Sequence, residues 1–339
     1  MNQRRIVFTA HGKAELLEDQ IPSVGLHDVL VELAVSTISS GTERANVSGD
    51  TNISPDRPLD KAVFPRYGGY SSAGTVIQVG AEVKNIHIGD RVALMWSTHN
   101  QYVCLHEKNV TVINDENISF EEAALCHIGT FPLAAIRKCH TEIGEASIVM
   151  GLGILGQMAI LQLRAAGAVP IIAADPVKEK RELALQLGAD YAFDPFDDAF
   201  IKQVKAVSNG GVSVAIEVTG VGKGLETVLD CMKRFGRVAL LGCTRHSDFT
   251  IDYYRKVHAP GITLVGAHTR ARPEEESHNG WWTAQDDMKA QLNLLSMNRL
   301  NYRQLIEETH SPEDAPEVYH RLCTEKNFPV VQFDWRMLK

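Results

Sequence analysis

Between Val29 and Ser36 the chain alternates, with Val29, Val31, Leu33 and Val35 on one side and Leu30, Glu32, Ala34 and Ser36 on the other. A period of two predicts a half-buried strand. Ser72 to Gly80 and Arg91 to Trp96 read as further strands, the latter entered from a Gly89-Asp90 turn. The aperiodic stretch from Asp50 to Pro65, with its Pro and Asp residues, reads as a surface loop. After a helical run from Glu121 to Lys138 the rhythm changes. Strands are predicted at 147–150, 171–174, 191–193, 214–218, 238–241 and 262–265, and helices between them at 154–166, 177–187, 197–207, 223–235 and 253–258. Gly188 and Gly236 each follow a helical run, where a helix C-cap belongs. Strand and helix alternating at this spacing imply a parallel, doubly wound sheet. The tail adds an amphipathic helix over 312–323 and an apolar strand over 328–333.

Composition narrows the class. The 339 residues suffice for two domains of about 150 residues each. With 44% apolar and 22% charged residues the chain is neither disordered nor fibrous. A net charge of -8 argues against a broad surface for nucleic acid or anionic membrane. Six scattered cysteines without a C-x-x-C pair fit a reducing compartment rather than a disulfide framework. The stretch from Ala146 to Leu163 is uncharged, but Gly151, Gly153, Gly156, Gln157 and Gln162 interrupt it, so it reads as a buried strand turning into a buried helix. No signal-peptide pattern precedes Ile6-Val7-Phe8, and a soluble, cytoplasmic protein is expected.

That interrupted stretch carries the first chemistry. Gly151-Leu152-Gly153-Ile154-Leu155-Gly156 follows an apolar strand and opens a helix. Gly151 permits the tight turn, Gly153 the approach of a pyrophosphate and Gly156 the contact of helix with strand. The helix N-terminus adds partial positive charge for the phosphates. Asp175 ends the next strand, 19 residues after Gly156, where a carboxylate accepts from both ribose hydroxyls and repels a 2′-phosphate. NAD is therefore expected over NADP, with Lys178, Lys180 and Arg181 near enough to soften the preference. Thr219-Gly220, Gly242-Cys243-Thr244 and Ala267-His268-Thr269 follow later strands. Strand ends of such a sheet face the ligand, which makes Thr219, Gly242 and His268 candidates for the nicotinamide half.

A β-rich first third, a dinucleotide unit and a short return segment resemble the medium-chain dehydrogenase/reductase superfamily. The marks are Gly89-Asp90-Arg91-Val92, Glu122-Ala123-Ala124, the Gly151–Gly156 fingerprint, Leu187-Gly188-Ala189-Asp190, Glu217-Val218-Thr219-Gly220 and the run from Phe235 to Gly242. The resemblance implies an α/β protein with a GroES-like, partly open β-barrel catalytic domain at 1–125 and 299–339. It also implies an NAD-binding Rossmann domain at 126–298, an active site in the cleft between domains, and a homodimer formed through the last Rossmann strand, Ile262–Val265. Zinc-dependent members place metal ligands where this chain has Ser39 or Ser40, Tyr70 and Ser71, and of that set only Cys126 remains a possible ligand. The four-cysteine structural-zinc lobe is absent, and one thiolate does not hold a zinc ion that takes three or four protein ligands. No metal is expected. Ser40-Gly41-Thr42-Glu43-Arg44 and Gly69-Tyr70-Ser71-Ser72-Ala73-Gly74 resemble a zinc-less branch that includes bacteriochlorophyllide dehydrogenases and modules found beside carbohydrate-modifying enzymes.

Without metal, hydride transfer between an alcohol and NAD needs another group to manage the hydroxyl proton. Tyr70 is the first candidate, since a phenol donates or accepts a proton; the alternative is a tyrosine that fills the space of metal and ligand. His99, in the loop after the Arg91–Trp96 strand, is suited to passing a proton to solvent. His127 is an alternative. Ser40, Thr42 and Glu43 are candidates for a relay, or Glu43 braces the loop through Arg44 or a backbone N–H. Pro273 to Trp282 reads as a substrate lid, an interface plug or the start of the next helix. The expected activity is NAD-dependent interconversion of a secondary alcohol of a sugar, polyol or related ring compound with its ketone. A quinone- or enoyl-type reductase and a non-catalytic NAD(H)-binding protein stand as alternatives.

Overall fold

The computed structural model describes residues 2–54, 56–247 and 249–338. The chain forms two compact units, Met1–Ile128 with Met288–Lys339, and Gly129–Asp287. In the first, β1 (Asn2–Ala10) and β2 (Lys13–Gln20) make an antiparallel hairpin. The Ile6 N–H donates to the His99 carbonyl and the Phe8 N–H to the Arg66 carbonyl, at 2.9 and 2.8 Å, so the hairpin pins the loops that precede Tyr70 and carry His99. Then come β3 (Asp28–Thr37), α1 (Ser40–Val47), β4 (Ser71–Val79), β5 (Arg91–Met95), β6 (Tyr102–His106), β7 (Val110–Val112) and α2 (Phe120–Ala123).

α3 (Cys126–Lys138) leads into the second unit. There β8 (Ser147–Met150), α4 (Ile154–Ala166), β9 (Ile171–Ala174), α5 (Lys178–Gln186), β10 (Tyr191–Phe193), α6 (Phe200–Val207), β11 (Val212–Glu217), α7 (Gly222–Cys231), β12 (Met232–Leu240) and β13 (Thr263–Gly266) alternate. The six strands lie in the order β10-β9-β8-β11-β12-β13, all parallel. Order reverses between β8 and β11, the switch point at which such sheets bind ligands. β8, β9 and β11 are buried along their whole length, as strands covered by helices on both faces must be.

The return adds α8 (Ala284–Ser296), β14 (Glu308–His310), α9 (Ala315–Thr324) and β15 (Val331–Asp334). β15 pairs antiparallel with β3 and completes a seven-stranded sheet, β14-β15-β3-β4-β5-β7 with β6 on β3. Phe8, Val31, Leu33, Val92, Leu94, Tyr319, Phe333 and Trp335 pack the core of this unit.

The structure corrects several expectations. β3 is buried on both faces and exposes only Glu32, and β4, β6 and β15 pair along its edges, which makes it an interior strand of the sheet. The run from Glu121 to Lys138 is two helices, broken after Ala123. Gly236 is no C-cap: α7 ends at Cys231, Met232 turns extended, and Gly236 lies inside β12. Pairing of Val212 with Met232 draws the chain into the sheet early. The tail helix starts at Ala315 after a 3-10 turn, and its strand begins at Val331. The return joins its unit at Met288 rather than 299, since the Ser296 hydroxyl donates to Asp115 at 2.5 Å. Among the described residues no helix is long and apolar enough to cross a membrane.

Candidate active site

In the second unit β8 turns sharply at Gly151, whose φ is +96°. A Cβ on Gly156 would collide with the Gly151 carbonyl, so only glycine lets α4 start this close to the strand. Gly153 differs: a Cβ there would meet nothing within 4 Å. Its bareness leaves an open cradle at the N-terminus of α4, whose N-cap offers no side chain to the first N–H groups. Ile154 is buried beneath this turn and Leu155 half-buried.

Asp175, 7% exposed, accepts the Leu152 N–H at 2.8 Å and the Val177 N–H at 2.9 Å. Each oxygen thus holds one backbone donor and keeps acceptor capacity for a ribose hydroxyl. Glu217 closes the next strand end, accepting from Thr219 N–H at 2.8 Å, from its hydroxyl, and from Gly220 N–H at 3.3 Å. Burial raises the Glu217 carboxyl above its usual range against these donors. A Cβ on Gly242 would strike Gly220, so these two turns are packed together. His268 is half-buried and its imidazole is held below its usual range, by burial first and then by Arg270, Lys138 and Arg245. This geometry fits a dinucleotide.

Further along, Trp282 stacks on the Arg137 guanidinium at 3.6 Å and Trp281 on the Lys138 ammonium at 4.7 Å. Lys138 also donates to the Gly266 and Ala271 carbonyls, and burial pulls its ammonium down to about 8. Both tryptophans are engaged on α3, and α8 begins after them.

In the first unit β3 delivers Ser39 to the N-cap of α1. Its hydroxyl accepts from the Tyr70 hydroxyl. The Tyr70 carbonyl accepts the Trp96 N–H at 2.9 Å and the His127 Nδ1–H at 2.6 Å, which fixes the tautomer of His127. The Tyr70 and Trp96 rings each meet His127 edge-on, with centroids 5.5 and 4.7 Å away. Trp96 holds a left-handed backbone, φ +59°, and remains 44% exposed. Such a conformation costs a non-glycine residue about 1–3 kcal/mol and marks functional sites.

Beneath lies a buried network. Glu43, 1% exposed, accepts the Ser39 N–H at 2.8 Å, His99 Nε2 at 3.0 Å and the Tyr319 hydroxyl. His99 Nδ1 meets the Ser36 hydroxyl at 2.7 Å, and Trp335 Nε1 donates to the same hydroxyl at 2.9 Å. Burial and the neighbouring carboxylate push the Tyr319 phenol well above its usual range.

The structure brings Tyr70 to Ser39, and Glu43 to His99. Ser40 and Thr42 sit half-buried on the first turn of α1, and their hydroxyls make no hydrogen bond among the described residues. His99 is fully buried and does not reach the Tyr70 hydroxyl, which corrects the expectation that it exchanges a proton with solvent. Arg44 does not pair with Glu43; it donates to the Leu322 and Glu325 carbonyls. Ser36, Trp96, Tyr319 and Trp335 were not among the site residues expected from the sequence. Only Trp96 carried a signal, a large aromatic ending a strand three residues before His99.

The donors at the family's metal positions do not fit zinc. Ser39 and Tyr70 bond each other, and Ser71 donates to the Ala124 carbonyl at 2.6 Å. Cys126 is core, its thiol raised far above the usual range by burial and by Glu122. Among the described residues no three His, Cys, Asp or Glu side chains converge on a metal position.

Sequence comparisons agree with the architecture. The profile of the zinc-binding dehydrogenase family matches residues 155–281, and that of the alcohol dehydrogenase GroES-like domain residues 25–131. The chain is 27% identical to the L-threonine 3-dehydrogenase of Pyrococcus horikoshii over 338 residues, 90% of each chain. It is 22% identical to the D-guloside 3-dehydrogenase of Escherichia coli over 334 residues, 93% of this chain and 95% of the other. The galactitol-1-phosphate dehydrogenase structure from Escherichia coli matches with a TM-score of 0.83 at 19% identity, covering 98% of this chain and 99% of that one. With both halves matched in order, the chain belongs to the zinc-type alcohol dehydrogenase-like, medium-chain dehydrogenase/reductase superfamily.

Proposed function

We propose that this chain is an NAD-dependent, zinc-independent dehydrogenase that interconverts a secondary alcohol of a sugar, polyol or related ring compound with its ketone. The coarser activity, alcohol–ketone oxidoreduction, follows from relatives named as threonine, guloside and butanediol dehydrogenases. The observation that carries the finer reading is the Tyr70–Ser39 hydroxyl pair, which lies where the resemblance puts metal ligands (Ser39 or Ser40, and Tyr70), beside the exposed Trp96.

Bound NAD supplies the hydride acceptor. Gly151, Gly153 and the N-terminus of α4 hold its phosphates, Asp175 its ribose, and Thr219, Gly242 and His268 the nicotinamide half. NADP is disfavoured because the Asp175 carboxylate would repel a 2′-phosphate, and Arg181 turns its Nη1 to the Asp175 and Pro176 carbonyls at 2.7 and 2.9 Å and to Asp194. In ketone reduction the Tyr70 hydroxyl turns from Ser39 to donate its proton to the forming alkoxide, and the Ser39 hydroxyl then donates one to the phenolate. Ser40 and Thr42, half-buried on the first turn of α1 with hydroxyls bonded to no other described group, are the residues through which water would restore the Ser39 proton. Oxidation runs the same transfers backwards. Trp96 offers an indole face to the C–H side of a ring substrate.

Tyr70→Phe is expected to lower kcat about 100-fold or more while the Kd for NAD stays within about twofold. Zinc below a tenth of an equivalent and turnover indifferent to chelator should accompany this. Chelator-sensitive turnover with stoichiometric zinc, or a Tyr70→Phe enzyme near full rate, would remove the reading. β13 ends its sheet with one edge unpaired among the described residues, and we assign self-pairing there to a homodimer. A monomer by sedimentation at micromolar concentration would refute that.

A further inference from the structure

We infer that Glu43 is a positioning residue: together with His99 it sets both members of the Tyr70–Ser39 hydroxyl pair in register. The inference rests on the proposed function, because it concerns how that pair is held.

A serine at a helix N-cap ordinarily spends its hydroxyl on an N–H of the first turn. Ser39 makes no such bond. Glu43, one turn into α1, instead reaches back to the Ser39 N–H, which fixes the residue and leaves its hydroxyl to Tyr70. Tyr70 is registered on the same unit from the other side. The residues before it, Gly68 and Gly69, lie directly on the network, and the His99 N–H donates to the Gly68 carbonyl at 3.1 Å. Gly69 has φ +86°, and a Cβ there would fall 2.9 Å from the His99 nitrogen; one on Gly68 would fall 3.0 Å from Glu43 Oε2.

Trp335 Nε1 only donates, so the Ser36 oxygen accepts it while the same hydroxyl meets His99 Nδ1. His99 is thereby held at both ring nitrogens, by Ser36 at Nδ1 and by Glu43 at Nε2. Three groups converge on the Glu43 carboxyl: the Ser39 N–H, His99 Nε2 and the Tyr319 hydroxyl. An apolar cluster of the same volume would hold the fold as well as a buried charge does. What the carboxylate adds is a fixed set of directions, with Tyr319 and Trp335 from the return segment closing the set.

Glu43→Gln keeps the volume but turns one acceptor oxygen into a donor facing a donor. We expect kcat to fall at least tenfold with the Kd for NAD unchanged, and Ser39→Ala to cost a similar factor. In the Ser39→Ala background Glu43→Gln should cost less than a further twofold. Tyr319→Phe removes one donor without stranding another group, and should lower kcat about threefold only when Ser39 is present; it decides the matter if Glu43→Gln does not fold. Additive losses, or full kcat in both Glu43→Gln and Tyr319→Phe while Tyr70→Phe is inactive, would overturn the inference and spare the proposed function. An active Tyr70→Phe would overturn both.

Discussion

The two units build their sites in opposite ways. In the second, the dinucleotide cradle is a continuous stretch of backbone: strand, bare turn and helix, with Asp175 delivered by the next strand. In the first, the hydroxyl pair and its support come from six separate segments. Glu43 bonds a residue 276 positions away and Ser36 one 299 positions away. A site made from main chain tolerates almost no added atoms, whereas a site made from side chains tolerates none of its donors being exchanged. The cradle should therefore fail through sterics and the hydroxyl site through hydrogen bonding.

The largest expected effect tests the steric half. Gly156→Ala sets a methyl against the Gly151 carbonyl, which neither strand nor helix can retreat from, and overpacking of this kind costs about 1–3 kcal/mol or more. We expect a melting temperature several degrees lower and no measurable NAD binding. Gly153→Ala is the contrast: its methyl enters open space, so the melt should match the parent while NAD affinity falls about tenfold. A Gly153→Ala protein that binds NAD normally would show that the cradle is not where the phosphates sit.

The same division explains what could be read from the sequence. The doubly wound sheet was legible because its strands are short apolar runs at regular spacing, and α4 and β8 to β10 fall where periodicity puts them. Gly236 misled because a glycine after a helical run looks like a cap, while pairing of Met232 with Val212 had already ended α7. Tyr70 and Glu43 drew notice by their place in a motif, but the relay serine was read as Ser40, while the hydroxyl that meets Tyr70 is that of its neighbour Ser39. His99 drew notice for its chemistry, yet its burial depends on Ile6, Gly68 and Phe333, none of them near it in sequence. Tyr319 and Trp335 carry no local sign, since a tyrosine on an amphipathic helix reads as core, which it also is.

A second glutamate gives the smallest effect and sharpens the contrast with Glu43. Glu308 on β14 is only partly buried and holds a two-pronged contact with Arg321 of α9, at 2.8 and 2.9 Å. The Arg321 hydrogen bonds draw its carboxyl down to about 2, against the opposing effect of burial and with help from His310. A carboxyl lowered in the folded state stabilises above its ordinary value near 4.5, and that stability is lost as pH falls toward 2. Discounted for solvent screening, the contact is worth about 1–2 kcal/mol. Glu308→Gln should therefore melt a few degrees lower at pH 7, with the gap to the parent closing between pH 4.5 and 2. Its kcat should be unchanged, because this glutamate fastens a strand to a helix and touches none of the groups that hold Ser39. A fall in kcat at constant KM would mean that the seat of Tyr319 on α9 depends on this clasp, and that the buried network begins at the surface.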